Sequence, residues 1–140
     1  GVGTTSHLKV WTRVPSLDIV KNSIIDIKTD GDNGQHTSVH VLATYNGRNQ
    51  IFNCGYNGVG QLGQGHYTNI KTFQRMPYGP RNIVDFYISH GENSWEQVLF
   101  LKDDSSNIWI TGACHYYMTG DPGSGNNQPR YNTPVRLPIR

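Results

Sequence analysis

The feature that most constrains this chain is internal repetition. Pro15, Pro77 and Pro138 recur at intervals of 62 and 61 residues, each preceded by an Arg and an apolar residue (Arg13-Val14, Arg75-Met76, Arg136-Leu137). Ile24-Ile25-Asp26-Ile27 returns as Ile83-Val84-Asp85-Phe86, and Ile51-Phe52-Asn53-Cys54-Gly55 returns as Ile108-Trp109-Ile110-Thr111-Gly112. Val41-Leu42-Ala43-Thr44 is matched to Val98-Leu99-Phe100-Leu101, each ahead of a polar turn, Asn46-Gly47 or Asp103-Asp104. A period of this size marks stacked supersecondary units, none of which buries its apolar faces alone.

Each unit holds about four short β-branched or aromatic runs punctuated by Gly, Pro, Asn and Asp, which is the strand-and-turn signal. Residues 24–28, 40–45, 50–54, 83–88, 97–102 and 107–111 are expected to be extended. The fold class is all-β. Four strands per repeat is the propeller arrangement, so the chain divides into a partial blade over 1–20 and two four-stranded antiparallel blades over 21–80 and 81–140, all parts of one propeller domain. Propellers hold roughly 4–8 blades. The chain is therefore expected to be a piece of a larger propeller, and to be insoluble, molten or oligomeric on its own because its sheet edges and faces are left open.

The turn after the third run reads Gly55-Tyr56-Asn57-Gly58-Val59-Gly60-Gln61-Leu62-Gly63-Gln64-Gly65. Gly and Asn tolerate positive φ better than other residues, so this is a tight, shaped turn. A phosphate cradle would need a helix directly after the glycines, or a Lys followed by Ser or Thr; Gln64-Gly65-His66-Tyr67-Thr68-Asn69 supplies neither. Gly55, Gly60 and Gly63 are expected to serve backbone conformation, and Asn57 to bond the backbone of its own turn. The pattern G-x-N-x-x-G-Q-L-G-x-G resembles the signature of the regulator of chromosome condensation repeat family, with Gly55, Asn57, Gly60, Gln61, Leu62 and Gly63 at its fixed positions. The family places a large aromatic just before the first Gly, where this chain has Cys54 and Thr111. The second copy, Gly112 to Gly120, has lost the inner Asn, Gly and Gln. The resemblance implies a seven-bladed propeller serving as a rigid, non-catalytic platform for protein recognition. Its members include a nucleotide exchange factor for a nuclear GTPase, a plant UV-B photoreceptor and a bacterial β-lactamase inhibitor.

Composition narrows the partners. Lys and Arg total 12 against 10 for Asp and Glu, without a basic run, which argues against a nucleic-acid footprint. No apolar stretch is long enough to span a membrane. Low charge and abundant Asn, Gly and Tyr suit an extracellular or virion-attached adhesin, while thirteen asparagines include no glycosylation sequon. Cys54 and Cys114 occupy non-equivalent positions and are read as free thiols.

No cofactor, metal or catalytic residue is expected. His36 and His40 could share one face of a strand, but no further ligand stands at a suitable spacing; His40 is expected to pack or hydrogen-bond at a strand edge, with His36 in the preceding loop. Asp30-Gly31-Asp32-Asn33-Gly34 lacks the spacing and terminal Glu of a calcium loop. Asp103-Asp104 reads as a turn rather than a catalytic dyad, because Asp bonds its own nearby backbone. The partner-binding candidates are His115, Tyr116, Tyr117, Arg130 and Tyr131, where the second unit breaks its motif and lengthens the following loop by about four residues relative to Gly65–Pro77. Three functions fit: a protein-binding propeller module, a receptor-binding part of a virion fibre or adhesin, and an exchange or chromatin-associated regulator.

Overall fold

Strands form where β-branched and aromatic residues alternate between turn residues. The computed structural model describes residues 1–30, 36–90, 97–113 and 129–138. Among these a short 3₁₀ helix, Pro15–Val20, precedes β1 (Ile24–Asp30), β2 (Ser38–Tyr45), β3 (Arg48–Gly55) and β4 (Ile70–Arg75). Then follow β5 (Ile83–His90), β6 (Gln97–Asp103), β7 (Ile108–Ala113) and β8 (Arg130–Arg136). They make two four-stranded antiparallel sheets, ordered β1-β2-β3-β4 and β5-β6-β7-β8. Each is a blade-like meander. Among the described residues no helix is long and apolar enough to cross a membrane. Of the residues expected to be extended, Asn107 alone lies outside a strand; its amide closes the β6–β7 turn on the Asp103 carboxylate at 2.8 Å.

The two sheets repeat each other in register. Both carry an irregularity after their first residue, between Ile24 and Asp26 and between Ile83 and Asp85. In both, the Asp carboxylate accepts the next residue's amide at 2.8 Å, Asp26 from Ile27 and Asp85 from Phe86. Gly55, the last residue of β3, and Gly112, the last but one of β7, have φ +111° and +109°. A Cβ there would collide with the carbonyl of Thr37 or of Gln97 on the neighbouring chain segment, so only Gly lets those segments close up.

One sequence match is displaced. Ser38 opposes Gly55, and Val98 opposes Gly112. Ser38 is thus the counterpart of Val98, and Val41 that of Leu101 rather than of Val98. The hairpins differ in length: β2 and β3 turn through Asn46 and Gly47, both at positive φ, whereas β6 and β7 turn through a longer loop with Ser106 at φ +65°. The similar Val-Leu runs slipped by three, and an odd slip puts every side chain on the wrong face.

The main core lies between the sheets. Leu42, Ile51 and Met76 of the first unit pack against Ile83, Phe86, Leu99 and Leu101 of the second. On the far face of the first sheet, Val41, Ala43 and Phe52 are covered by Leu17 and Val20 of the 3₁₀ helix. Lys28 of β1 reaches the second sheet, donating to the Phe86 carbonyl and lying 4.3 Å from the Phe86 ring centroid.

Residues 1–20 hold the 3₁₀ helix and no strand. Gly3 donates to the Lys71 carbonyl at 3.0 Å and Val2 bridges Thr72. Residues 8–13, the counterparts of β4, form no strand. Among the described residues no third-strand partner lies beside them, and Leu8, Val10 and Trp11 are exposed.

Candidate functional site

The Gly55–Gly65 turn is a clasp between the two sheets. Asn57 organises it from within: its side-chain oxygen accepts the Leu62 amide at 3.0 Å, and its side-chain nitrogen donates to the carbonyls of His66 at 2.8 Å and Thr68 at 3.2 Å. Leu62 is buried with Cys54 and Ile70 in a core of the first sheet. Gly60 sits at φ +83°, where an added Cβ would lie 2.7 Å from the Tyr131 carbonyl oxygen and 2.8 Å from the Asn132 Cα. The Thr111 hydroxyl is within reach of the Gly60 carbonyl at 2.8 Å and the Tyr131 carbonyl at 2.7 Å, and its one proton serves them in turn. Gln61 donates across the seam to the Gln97 side-chain oxygen, and Gln97 donates to the His36 carbonyl at 2.7 Å. Gly55, Gly60 and Gly63 all have positive φ, and Asn57 bonds the backbone of its own turn.

A second buried polar group lies beneath it. The strand-edge expectation for His40 is corrected: the residue lies within β2, fully buried and facing the second sheet. Its Nε2 is 3.1 Å from the Ser38 hydroxyl, and its Nδ1 is 3.4 Å from the Asn53 amide nitrogen. Asn53 donates to the Leu62 carbonyl at 2.9 Å and accepts from Gln64 at 2.9 Å. Burial lowers the His40 pKa to about 3, so the imidazole is neutral. The edge expectation fails because β3 covers one side of β2 and the second sheet covers its face. His36 stands before β2 and stacks edge-on with Tyr56 at 4.5 Å. Among the described residues no group of three His, Cys, Asp or Glu side chains is placed to hold a metal.

Asp103 is a turn residue. Its carboxylate accepts from the Ser105 and Asn107 amides and from the Trp109 indole at 3.0 Å. The Trp109 bond, followed by those from Asn107 and Ser105, lowers its pKa to about 2.

Of the partner-binding candidates, His115, Tyr116 and Tyr117 lie outside the described residues. Arg130 and Tyr131, expected in the lengthened loop, instead open β8, opposite Ala113 and Gly112. Arg130 is exposed. Tyr131 is half-buried against Val98 and Ile110, so it contributes to packing. Cys54 is a buried free thiol, and Cys114 lies outside the described residues.

Sequence reasoning missed a cleft of about 480 Å³ at the seam between the sheets. The β2–β3 hairpin forms one wall, through Tyr45, Arg48 and Gln50. The connection from β4 to β5 forms the other, through Arg75, Tyr78, Pro80 and Arg81. Ile51, Met76 and Ile83, all buried, make its floor. The residues come from two separate stretches of chain, 45–51 and 75–83, so no local motif announces them. The one available signal was the inequality of the repeats at Arg48 and Arg81.

No protein-family model matches the chain, and no curated protein matches it. Among solved structures, that of human WBSCR16, a propeller like the regulator of chromosome condensation, is similar in fold. The TM-score is 0.59 at 16% identity, over 83% of this chain and 25% of that one. The chain therefore spans about a quarter of that structure's length. The likeness is one of fold, and it identifies the two sheets as blade-type β structure.

Proposed function

We propose that this chain is a non-catalytic β-propeller module for protein recognition, built from divergent repeats of the regulator of chromosome condensation type. One observation carries the proposal: two sheets clasped by the Gly55–Gly65 turn leave an open, arginine-lined cleft along their seam. Interfaces that bind without chemistry are rich in Arg and Tyr over an apolar floor, and rigid walls reduce the ordering cost of association. The fold likeness to a propeller supports the same reading.

The test is reconstitution. Partners captured by the full polypeptide from its native source are purified and titrated against it by calorimetry. A saturable complex with a chemically unchanged partner is expected. Turnover of the partner, or no saturable binding by any purified candidate, would overturn the proposal.

A further inference from the structure

The cleft carries more specific chemistry than a general contact surface. Arg48, Arg75 and Arg81 line it, and no Asp or Glu does. Among the described residues none of the three forms an ion pair. Arg75 donates to the Gln50 side-chain oxygen at 3.0 Å, which steadies one guanidinium and leaves its other donors available. An adjoining hollow shares Asn46, Arg48 and Arg81 with the cleft and adds Gly47, Asn82 and Asp104. Those two arginines therefore stand between two depressions.

Scaffold duty accounts for only one of the three. Arg75 recurs as Arg13 and Arg136, so it belongs to the repeat. Arg48 does not: with Gly55 and Gly112 aligned, its counterpart is Ser105. Nor does Arg81, whose counterpart two residues before β1 is Asn22. A repeat that folds with Ser and Asn at these places has no structural need of arginine.

Three arginines lining one recess, against the single carboxylate of Asp104 in the adjoining hollow, raise the local positive potential and favour an anion. A guanidinium fork matches a carboxylate in two parallel bonds. The lining contains no Lys, Ser or Thr, the usual companions of Arg at a phosphate site. It contains instead an apolar floor with Tyr and Pro walls, which suits side chains of an extended peptide. We propose that the cleft binds an acidic peptide segment of a protein partner. Its carboxylates pair with Arg48 and Arg81, and an apolar side chain rests on Ile51, Met76 and Ile83. This inference rests on the recognition-module reading above.

The test uses the full polypeptide and a fluorescein-labelled peptide of glutamates interrupted by one Leu and one Tyr, followed by anisotropy. Saturable binding is expected, weakening as salt rises from roughly 50 to 300 mM and the screening length shortens. Replacing every Glu by Gln is expected to abolish it. The double variant Arg48→Ala with Arg81→Ala is expected to bind at least about tenfold more weakly, the scale of losing one strong contact, with an unchanged melting temperature. Lys9→Ala with Lys21→Ala, on exposed cations elsewhere, is the control. No saturable binding, an equal loss in the lysine control, or tighter arginine-dependent binding of a glutamate-free phosphoserine peptide would each overturn the inference. The purified natural partner separates the two readings. If it binds and the arginine variant binds it equally well, the acidic-segment inference fails while the module reading stands.

Discussion

The Gly65 amide donates to the Asn132 carbonyl at 2.7 Å, joining the end of the first unit's turn to the last strand of the second. The same bond occurs one repeat earlier, from Gly3 to Lys71 at 3.0 Å. Gly3 and Gly65 stand equally far before Pro15 and Pro77, and Lys71 and Asn132 equally far before Pro77 and Pro138. A motif glycine in one unit and a fourth-strand carbonyl in the next thus form the recurring seam contact of this protein.

Substitution at the seam is predicted to be costly. Gly60→Ala imposes positive φ on a residue with a Cβ and drives that Cβ against the Tyr131 carbonyl. The expected loss is about 2–3 kcal/mol, from left-handed strain plus the clash. Gly58→Ala, at a residue without positive φ and with the Tyr56 side chain rather than backbone as its nearest neighbour, is expected to cost less. Chemical denaturation of both variants checks the contrast; equal losses would mean Gly60 is not pressed against the second unit.

Gln61 and Gln97 are predicted to act as a pair. Both are buried, and their amides bond across the seam. Removing Gln61 leaves the Gln97 side-chain oxygen without its donor, and removing Gln97 leaves the Gln61 side-chain nitrogen without its acceptor, at about 1–3 kcal/mol. The double variant Gln61→Ala with Gln97→Ala is expected to lose less than the sum, with a coupling of at least about 0.5 kcal/mol. Strict additivity in a double-mutant cycle would show that the bond contributes nothing.

His40 is predicted to make the protein acid-sensitive. In the unfolded chain His40 takes up a proton below the ordinary histidine value of 6.5, while the folded state resists one until about pH 3. Stability from this site is therefore intact above pH 6.5 and falls as pH drops toward 3, by at most about 1.4 kcal/mol per pH unit. His40→Phe, the residue at the equivalent Phe100 position, removes that slope. It also lowers stability at neutral pH, because Ser38 and Asn53 lose a partner. Denaturation midpoints measured between about pH 4 and 7 test this, across the range where the two states differ in bound protons. An undiminished slope in the variant would assign the acid sensitivity elsewhere.

Asp103 is predicted to hold Trp109 in place. Asp103→Asn replaces a carboxylate oxygen by an amide donor facing the indole N–H and the Asn107 groups. A lower melting temperature and a red-shifted Trp109 emission are expected, whereas Asp104→Asn should shift neither as far. The folded-state pKa of Asp103 is depressed to about 2, so its contribution is present above the unfolded carboxylate pKa and is lost as pH falls toward the folded value. Identical spectra for the two variants would remove Asp103 from this role.

Much of the fold was legible because it is written locally and written twice. The spacing of Pro15, Pro77 and Pro138, the bulge aspartates Asp26 and Asp85, and the paired glycines Gly55 and Gly112 each state a backbone requirement that few residues meet. The β2–β6 match slipped because Val-Leu runs are interchangeable in composition, and only hydrogen-bond register distinguishes a shift of three. Arg130 and Tyr131 read as loop because strand β8 exists only by pairing with β7. His40 read as an edge residue because nothing in its neighbours foretells a second sheet lying over it.

The sequence by itself determined the repeat unit, the all-β class and the turn chemistry, since periodicity and positive-φ residues act over a few neighbouring positions. Tertiary structure alone decided which surfaces meet. It set Gly60 against Tyr131, buried His40 in its neutral form, and gathered Arg48, Arg75 and Arg81 around one cleft. Those outcomes depend on segments far apart in the chain, whose mutual placement is fixed by sheet packing and by no local preference of the residues themselves.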